Sequence, residues 1–264
     1  MSEHFVPPGL QPAPPAEVSP FGDYTAASSG DAVLALVYEV EARIEEVSAD
    51  GATPDVPHAL IRTHLADAAV AVARRAPRGD VLALARDYAV GVGAGAYPVG
   101  QGLRVPLPAG LVRFLRVRLA GWRVPVDELK EPSSGLYRLA QNPLVAPSPD
   151  RPMAVLVASP GTPAVGAAST AVTGAIECFP APTRATAGDA VVELVCVASP
   201  APEAVAAAGP ALRDALLWEA AGRVYTGLRE PALAAPCYEA AARALGEPAP
   251  GRAAPIDRAA AGDA

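Results

Sequence analysis

The period of hydrophobic residues changes along this chain, and that change limits the possible folds more than any single residue does. Val33, Leu36, Val37, Val40, Ile44 and Val47 recur at three- and four-residue steps, which puts them on one face of a helix. Glu39, Glu41, Arg43, Glu45 and Glu46 fill the other face, Ser29 or Asp31 suits the N-cap, and Asp50-Gly51 ends the segment. A second helix follows TPDVP, with Asp55 suited to the N-cap and Pro57 to an early position. Its stripe is Leu60, Ile61, Leu65, Ala68, Ala69 and Val72. Arg74 and Arg75 complement the dipole of its last turn, and Pro77 stops it. A third, shorter helix is expected from Gly79-Asp80 to about Val90, with Val81, Leu84, Ala85 and Tyr88 inward; residues 91–110, rich in Gly and Pro, then break the pattern.

Further along, the period shortens. Residues 153–159 (MAVLVAS), 171–179 (AVTGAIECF) and 190–198 (AVVELVCVA) are short β-branched runs between turn-rich segments, and they predict three antiparallel strands. Helical spacing returns from Pro202 to Leu245. Helices, then strands, then helices point to an α+β fold: an N-terminal helical region, a small antiparallel sheet and a C-terminal helical hairpin. Residues 111–126 fit two patterns. Leu111, Leu115 and Leu119 have helical spacing, which favours a helix to about Leu119. Yet Leu115, Val117 and Leu119 also alternate with Arg116 and Arg118, and Ala120-Gly121 could turn the chain back into WRVPV. The expected organisation is a disordered arm over 1–28, a helical region over 29–130, a linker or connecting loop over 131–152, the sheet and hairpin over 153–246, and a disordered tail over 247–264.

Charge and cysteine content narrow the functional classes. The net charge is −7, which disfavours nonspecific binding to nucleic acid or to an anionic membrane. No apolar run is long enough to span a bilayer, and the N-terminal residues lack the basic flank and apolar core of a secretory signal. Three widely spaced cysteines without a CxxC pair read as reduced thiols, so a cytoplasmic protein is expected.

Catalytic motifs are sparse. Gly91-x-Gly93-x-x-Ala96 matches a relaxed dinucleotide fingerprint, but it follows a helical pattern instead of a strand, and Tyr97-Pro98 interrupts any helix after it. His58 and His64 are six residues apart and so on different faces of a helix, which gives no metal pair; His64 and Asp67 are one turn apart. No cofactor, metal site or catalytic residue is expected. A hairpin joining the second and third strands would bring Glu177 near Glu193 as a carboxylate pair. It would also hold Cys178 and Cys196 on the order of 14 Å apart, at about 3.4 Å per residue, too far for a disulfide. Arg104, Arg113, Arg116, Arg118 and Arg123 lie in a stretch with no acidic residue between Asp87 and Asp127. Guanidinium groups suit phosphates and carboxylates, so these five are anion-binding candidates, with pairing to acidic neighbours as the alternative.

The C-terminal segment carries the strongest pattern. Trp218, Gly222 and Tyr225, then Ala234, Tyr238 and Ala241, fall at offsets that resemble a single tetratricopeptide repeat over about residues 215–248. The resemblance implies a helical hairpin in which Gly222 allows close approach and Trp218, Tyr225 and Tyr238 supply bulk. It further implies a surface for a protein partner or for self-association, with those three aromatics as partner-binding candidates. Pro236 falls where the second helix of such a hairpin runs, so that helix is expected to start or kink there. The expected function is therefore a non-enzymatic protein-binding or assembly protein, such as an adaptor, a chaperone-like protein or a scaffold component. The alternative is an enzyme or binding domain for an anionic small molecule, using the Arg104–Arg123 segment.

Overall fold

A computed structural model describes residues 29–48, 54–140, 142, 146–158, 174–182 and 189–247. The arm expected over 1–28, the Asp50-Gly51 stop and the tail from residue 248 lie outside the described residues. The architecture is α+β, with two small antiparallel sheets and helices at both ends.

Helix α1 (Ser29–Val47) buries Leu36, Val37, Val40 and Ile44, the stripe that the spacing predicts. Helix α2 (His58–Arg75) buries Ile61, Leu65, Ala68, Ala69 and Val72. It starts after Pro57, whose backbone is extended (ψ 132°), and no side chain caps it, so Asp55 does not serve as the N-cap. Leu60 is one position off the buried stripe and is 39% exposed.

The expected third helix is broken. Helix α3 (Arg78–Val81) leads through a single tight turn, Leu82–Leu84, into the short strand β1 (Arg86–Asp87). Asp87 explains the break: its Oδ1 accepts hydrogen bonds from the backbone N–H of Ala89 (2.9 Å) and of Leu194 (3.1 Å), tying this point to a distant strand. The glycine-rich region is also ordered. Helix α4 (Ala89–Gly93) is followed by strands β2 (Tyr97–Val99) and β3 (Gly102–Pro106), which form a hairpin turned at Gly100, φ 57°. The Gly91–Ala96 fingerprint thus falls on α4 and the turn after it.

Residues Leu111–Leu119 form strand β4, not the favoured helix. The alternating pattern wins because a partner strand exists to bury it: Leu115, Val117 and Leu119 point inward, and the chain turns at Gly121 so that Val126 bridges back to Val117. The expected linker contains a short helix, α5 (Gly135–Ala140).

Strands β5 (Met153–Ala158), β6 (Gly174–Phe179) and β7 (Val191–Ala198) form where expected, but not as one sheet. The orders are β1-β7-β4 in one sheet and β2-β3-β6-β5 in the other. Strands from before and after residues 131–152 therefore pair in both sheets.

The C-terminal part is helical: α6 (Pro202–Ala207), α7 (Pro210–Gly227) and α8 (Pro231–Ala244). Helix α8 begins five residues before Pro236 and continues past it, rather than starting there.

The packing is layered. One hydrophobic core joins α1, α2, α7 and α8 to Leu115 and Val197 on the first sheet. A second core fills the space between the sheets with Leu103, Val105, Val117, Leu119, Ile176, Cys178, Leu194 and Cys196. A small third cluster, Ala140, Val155 and Phe179, seats α5 on the far side of the second sheet.

Candidate functional site

The α7–α8 hairpin presents an open, largely apolar groove beside Tyr238, one of the residues that the repeat-like pattern marks. Its two helices meet closely because Gly222 has no side chain: the ring of Tyr238 lies across it. The Tyr238 hydroxyl is 2.9 Å from Thr226 Oγ1, and the Thr226 hydroxyl donates to the Gly222 carbonyl oxygen (2.8 Å). The tyrosine is thus held at both its face and its tip. Beside it opens a groove of about 490 Å³ lined by Thr226, Arg229, Pro231, Ala234, Ala235 and Tyr238. Positions 231, 234, 235 and 238 are one helical stripe, so α8 forms one wall and the floor, and the small side chains of Ala234 and Ala235 leave the space open.

The other two aromatic candidates are used within the fold. Tyr225 is buried, and its hydroxyl donates to the Ile44 carbonyl oxygen (2.7 Å) on α1. Burial also pushes its phenol pKa up. Trp218 is half-buried under Arg43 of α1, whose guanidinium carbon is 4.8 Å from the ring centroid. Of the three, only Tyr238 faces the groove.

The five arginines do not converge. Arg104 faces Glu177 across the β3–β6 ladder and binds its Oε1 through Nε (3.1 Å) and Nη2. This pairing raises the Arg104 pKa. Arg113 donates to the carbonyl oxygen of Ala76 at the end of α2. Arg116 pairs with Glu193 at 2.8 Å, and Arg118 reaches the same carboxylate at 3.9 Å. Arg123 pairs with Asp150 at 2.9 Å. Four separate acceptors on different elements thus take up the five guanidinium groups.

Glu177 and Glu193 do not form the expected pair. Strands β6 and β7 belong to different sheets, so each glutamate lies opposite an arginine instead, Glu177 opposite Arg104 and Glu193 opposite Arg118. Glu177 is 2% exposed, yet both its oxygens are engaged, since the Tyr137 hydroxyl of α5 donates to Oε2 (2.6 Å). Arg104 also bonds the hydroxyl oxygen of Tyr97 (3.3 Å).

No protein-family model matches this chain. No curated protein sequence matches it either. The site must therefore be read from its own chemistry.

Among the described residues, no cluster of three or more His, Cys, Asp or Glu is arranged to hold a metal ion. All three thiols are buried and unpaired, and burial pushes Cys237 up to about 11 and Cys196 up to about 12. Cys178 is pushed higher still, again by burial. Among the described residues, no helix is long and apolar enough to cross a membrane.

Sequence spacing marks Tyr238 but misses the rest of the groove. Ala234 and Ala235 look like ordinary helix formers, and nothing in the sequence shows that among the described residues Ala234 is buried in the helical core while Ala235 beside it stays exposed. Arg229 carries a less common signal. It ends α7 with φ 63°, in the left-handed region where Gly or Asn is usual.

Proposed function

We propose that this chain is a non-enzymatic protein-binding or assembly protein, an adaptor, chaperone-like protein or scaffold component, that engages its partner through the α7–α8 hairpin. The observation that carries this reading is the open groove beside Tyr238. Its volume is about 490 Å³, and the Gly222–Tyr238–Thr226 contact ties its two helices together. A pre-formed apolar groove favours association because little conformational entropy is lost on binding. The reading places the protein in the cytoplasm, supported by three unpaired cysteines.

The test uses Ala235→Trp, which fills the groove from an exposed position. Native mass spectrometry and analytical ultracentrifugation of the full chain, alone and with co-purifying partners, should show an assembly with the original protein. The variant should lose that assembly while keeping its melting temperature. A protein that stays monomeric and partnerless, or an assembly that Ala235→Trp leaves intact, would count decisively against the reading.

A further inference from the structure

Resting on that reading, we propose that the groove takes a protein segment in which large apolar side chains are flanked by carboxylates. The groove itself offers two kinds of surface. Ala234, Ala235, Pro231 and the Tyr238 ring are apolar and leave room for side chains larger than their own. Arg229 supplies the only full charge among the six lining residues. Among the described residues its guanidinium makes no ion pair, as is also true of Arg243 on α8, whereas Arg213 and Arg223 on α7 and Arg75 on α2 are each paired with a glutamate. An apolar floor edged by an unpaired guanidinium is complementary to an acidic, apolar segment. A basic segment would set like charges together, and a purely apolar one would leave Arg229 without a partner at the edge of a newly dry contact.

The backbone at Arg229 supports the same assignment. A left-handed residue at a helix end is ordinarily glycine, which adopts φ 63° without strain. Arginine holds that position at a cost to stability, and among the described residues its guanidinium makes no hydrogen bond or ion pair that offsets this cost. Its guanidinium instead borders the groove. Tyr238 and Thr226 meanwhile bond each other, so their hydroxyls are already engaged and the ionic contact falls to Arg229.

The experiment measures fluorescence anisotropy with the full chain and two labelled amphipathic peptides of one Leu-rich sequence, one with glutamates beside the leucines and the other with glutamines. The original protein should bind the glutamate peptide about tenfold more tightly, the scale expected of one charge-assisted contact. Arg229→Gly should erase that preference without lowering the melting temperature, because glycine suits the backbone there. Ala235→Trp should remove binding of both peptides. Equal affinity for the two peptides, a preference that survives Arg229→Gly, or no binding of either peptide overturns the proposal. The two readings fail differently. If Ala235→Trp abolishes binding that shows no glutamate preference, the groove stands as a binding surface and only its charge selectivity falls. If Ala235→Trp leaves binding intact, the groove reading falls as well.

Discussion

A Cβ built on Gly222 would lie 2.8 Å from the ring of Tyr238. Non-bonded carbon atoms do not accept that distance, and the ring is poorly placed to retreat because its hydroxyl is bonded to Thr226. Two effects therefore oppose each other at Gly222. Alanine in a helix interior is favoured over glycine by about 1 kcal/mol. Forcing a methyl group into a packed contact costs about 1–3 kcal/mol. Gly222→Ala should lower the unfolding free energy by about 1 kcal/mol net, by this overpacking estimate. In a Tyr238→Ala background the clash is gone, and the same change should stabilise. Urea denaturation of the four proteins in the cycle checks this, and the idea is sunk if Gly222→Ala has the same sign in both backgrounds.

The Arg104–Glu177 pair gives a second prediction, because one partner is far more buried than the other. Glu177 is 2% exposed, while the Arg104 side chain is 20% exposed. Removing the arginine strands a carboxylate that cannot reach water, whereas removing the glutamate leaves a guanidinium that can. Arg104→Met should therefore destabilise by about 3 kcal/mol or more, and Glu177→Leu by less. Tyr137→Phe, which removes one hydrogen bond to the carboxylate, should cost about 1.5 kcal/mol. The double replacement should be close to neutral, as apolar substitutes for buried ion pairs often are. Equal losses in the two single variants would contradict the burial argument.

The residues that misled sequence reasoning share a physical cause. Helices α1 and α2 were legible because a helix carries its own period and needs only one buried face. Strands β5 to β7 were legible as strands, but not in their pairing, because β3 and β4 come from residues 102–119 and separate β6 from β7. Sequence spacing presents Glu177 and Glu193 as a carboxylate pair, and Arg104 and Arg118 as anion-binding candidates, yet these are two halves of the same contacts. Only a long-range register joins them, and one sequence does not contain it. The candidate site divides in the same way: Tyr238 and Gly222 follow from local spacing, whereas the exposure of Ala235 beside the buried Ala234 depends on how the described elements pack around α8.

His64 gives the chain a pH-dependent component. Its Nε2 is buried without a hydrogen-bond partner and faces the end of α7 at Gly227. Burial lowers its pKa, Asp67 opposes the shift and Arg223 adds to it. A histidine whose pKa is lower folded than unfolded binds more protons when unfolded. Its stabilising contribution is thus complete above the unfolded value, about 6.5, and is lost as pH falls toward the lower folded value. Denaturation measured from pH 7.5 down to about 5.5 should show falling stability. His64→Gln should flatten that slope without needing to match the original stability. A slope that is the same in both proteins would remove His64 as its source.

The three buried thiols report on how the layers open. Cys178 and Cys196 lie in the core between the two sheets, whereas Cys237 lies on α8, which packs chiefly on α7. Its thiol donates to the Leu233 carbonyl oxygen (3.3 Å), and burial raises its pKa to about 11. With pKa values this high, almost no thiolate exists at neutral pH, and a thiol reagent must wait for the structure to open. Local opening takes less free energy than global unfolding where an element has one packing partner. A chromogenic thiol reagent should therefore modify Cys237 first, with Cys178 and Cys196 reacting only at the rate of global unfolding. Gly222→Ala, which loosens the hairpin, should speed the first phase much more than the later ones. Peptide mapping of the labelled protein reads the order. If Cys178 or Cys196 is labelled as fast as Cys237, the hairpin is not the part of this fold that opens most readily.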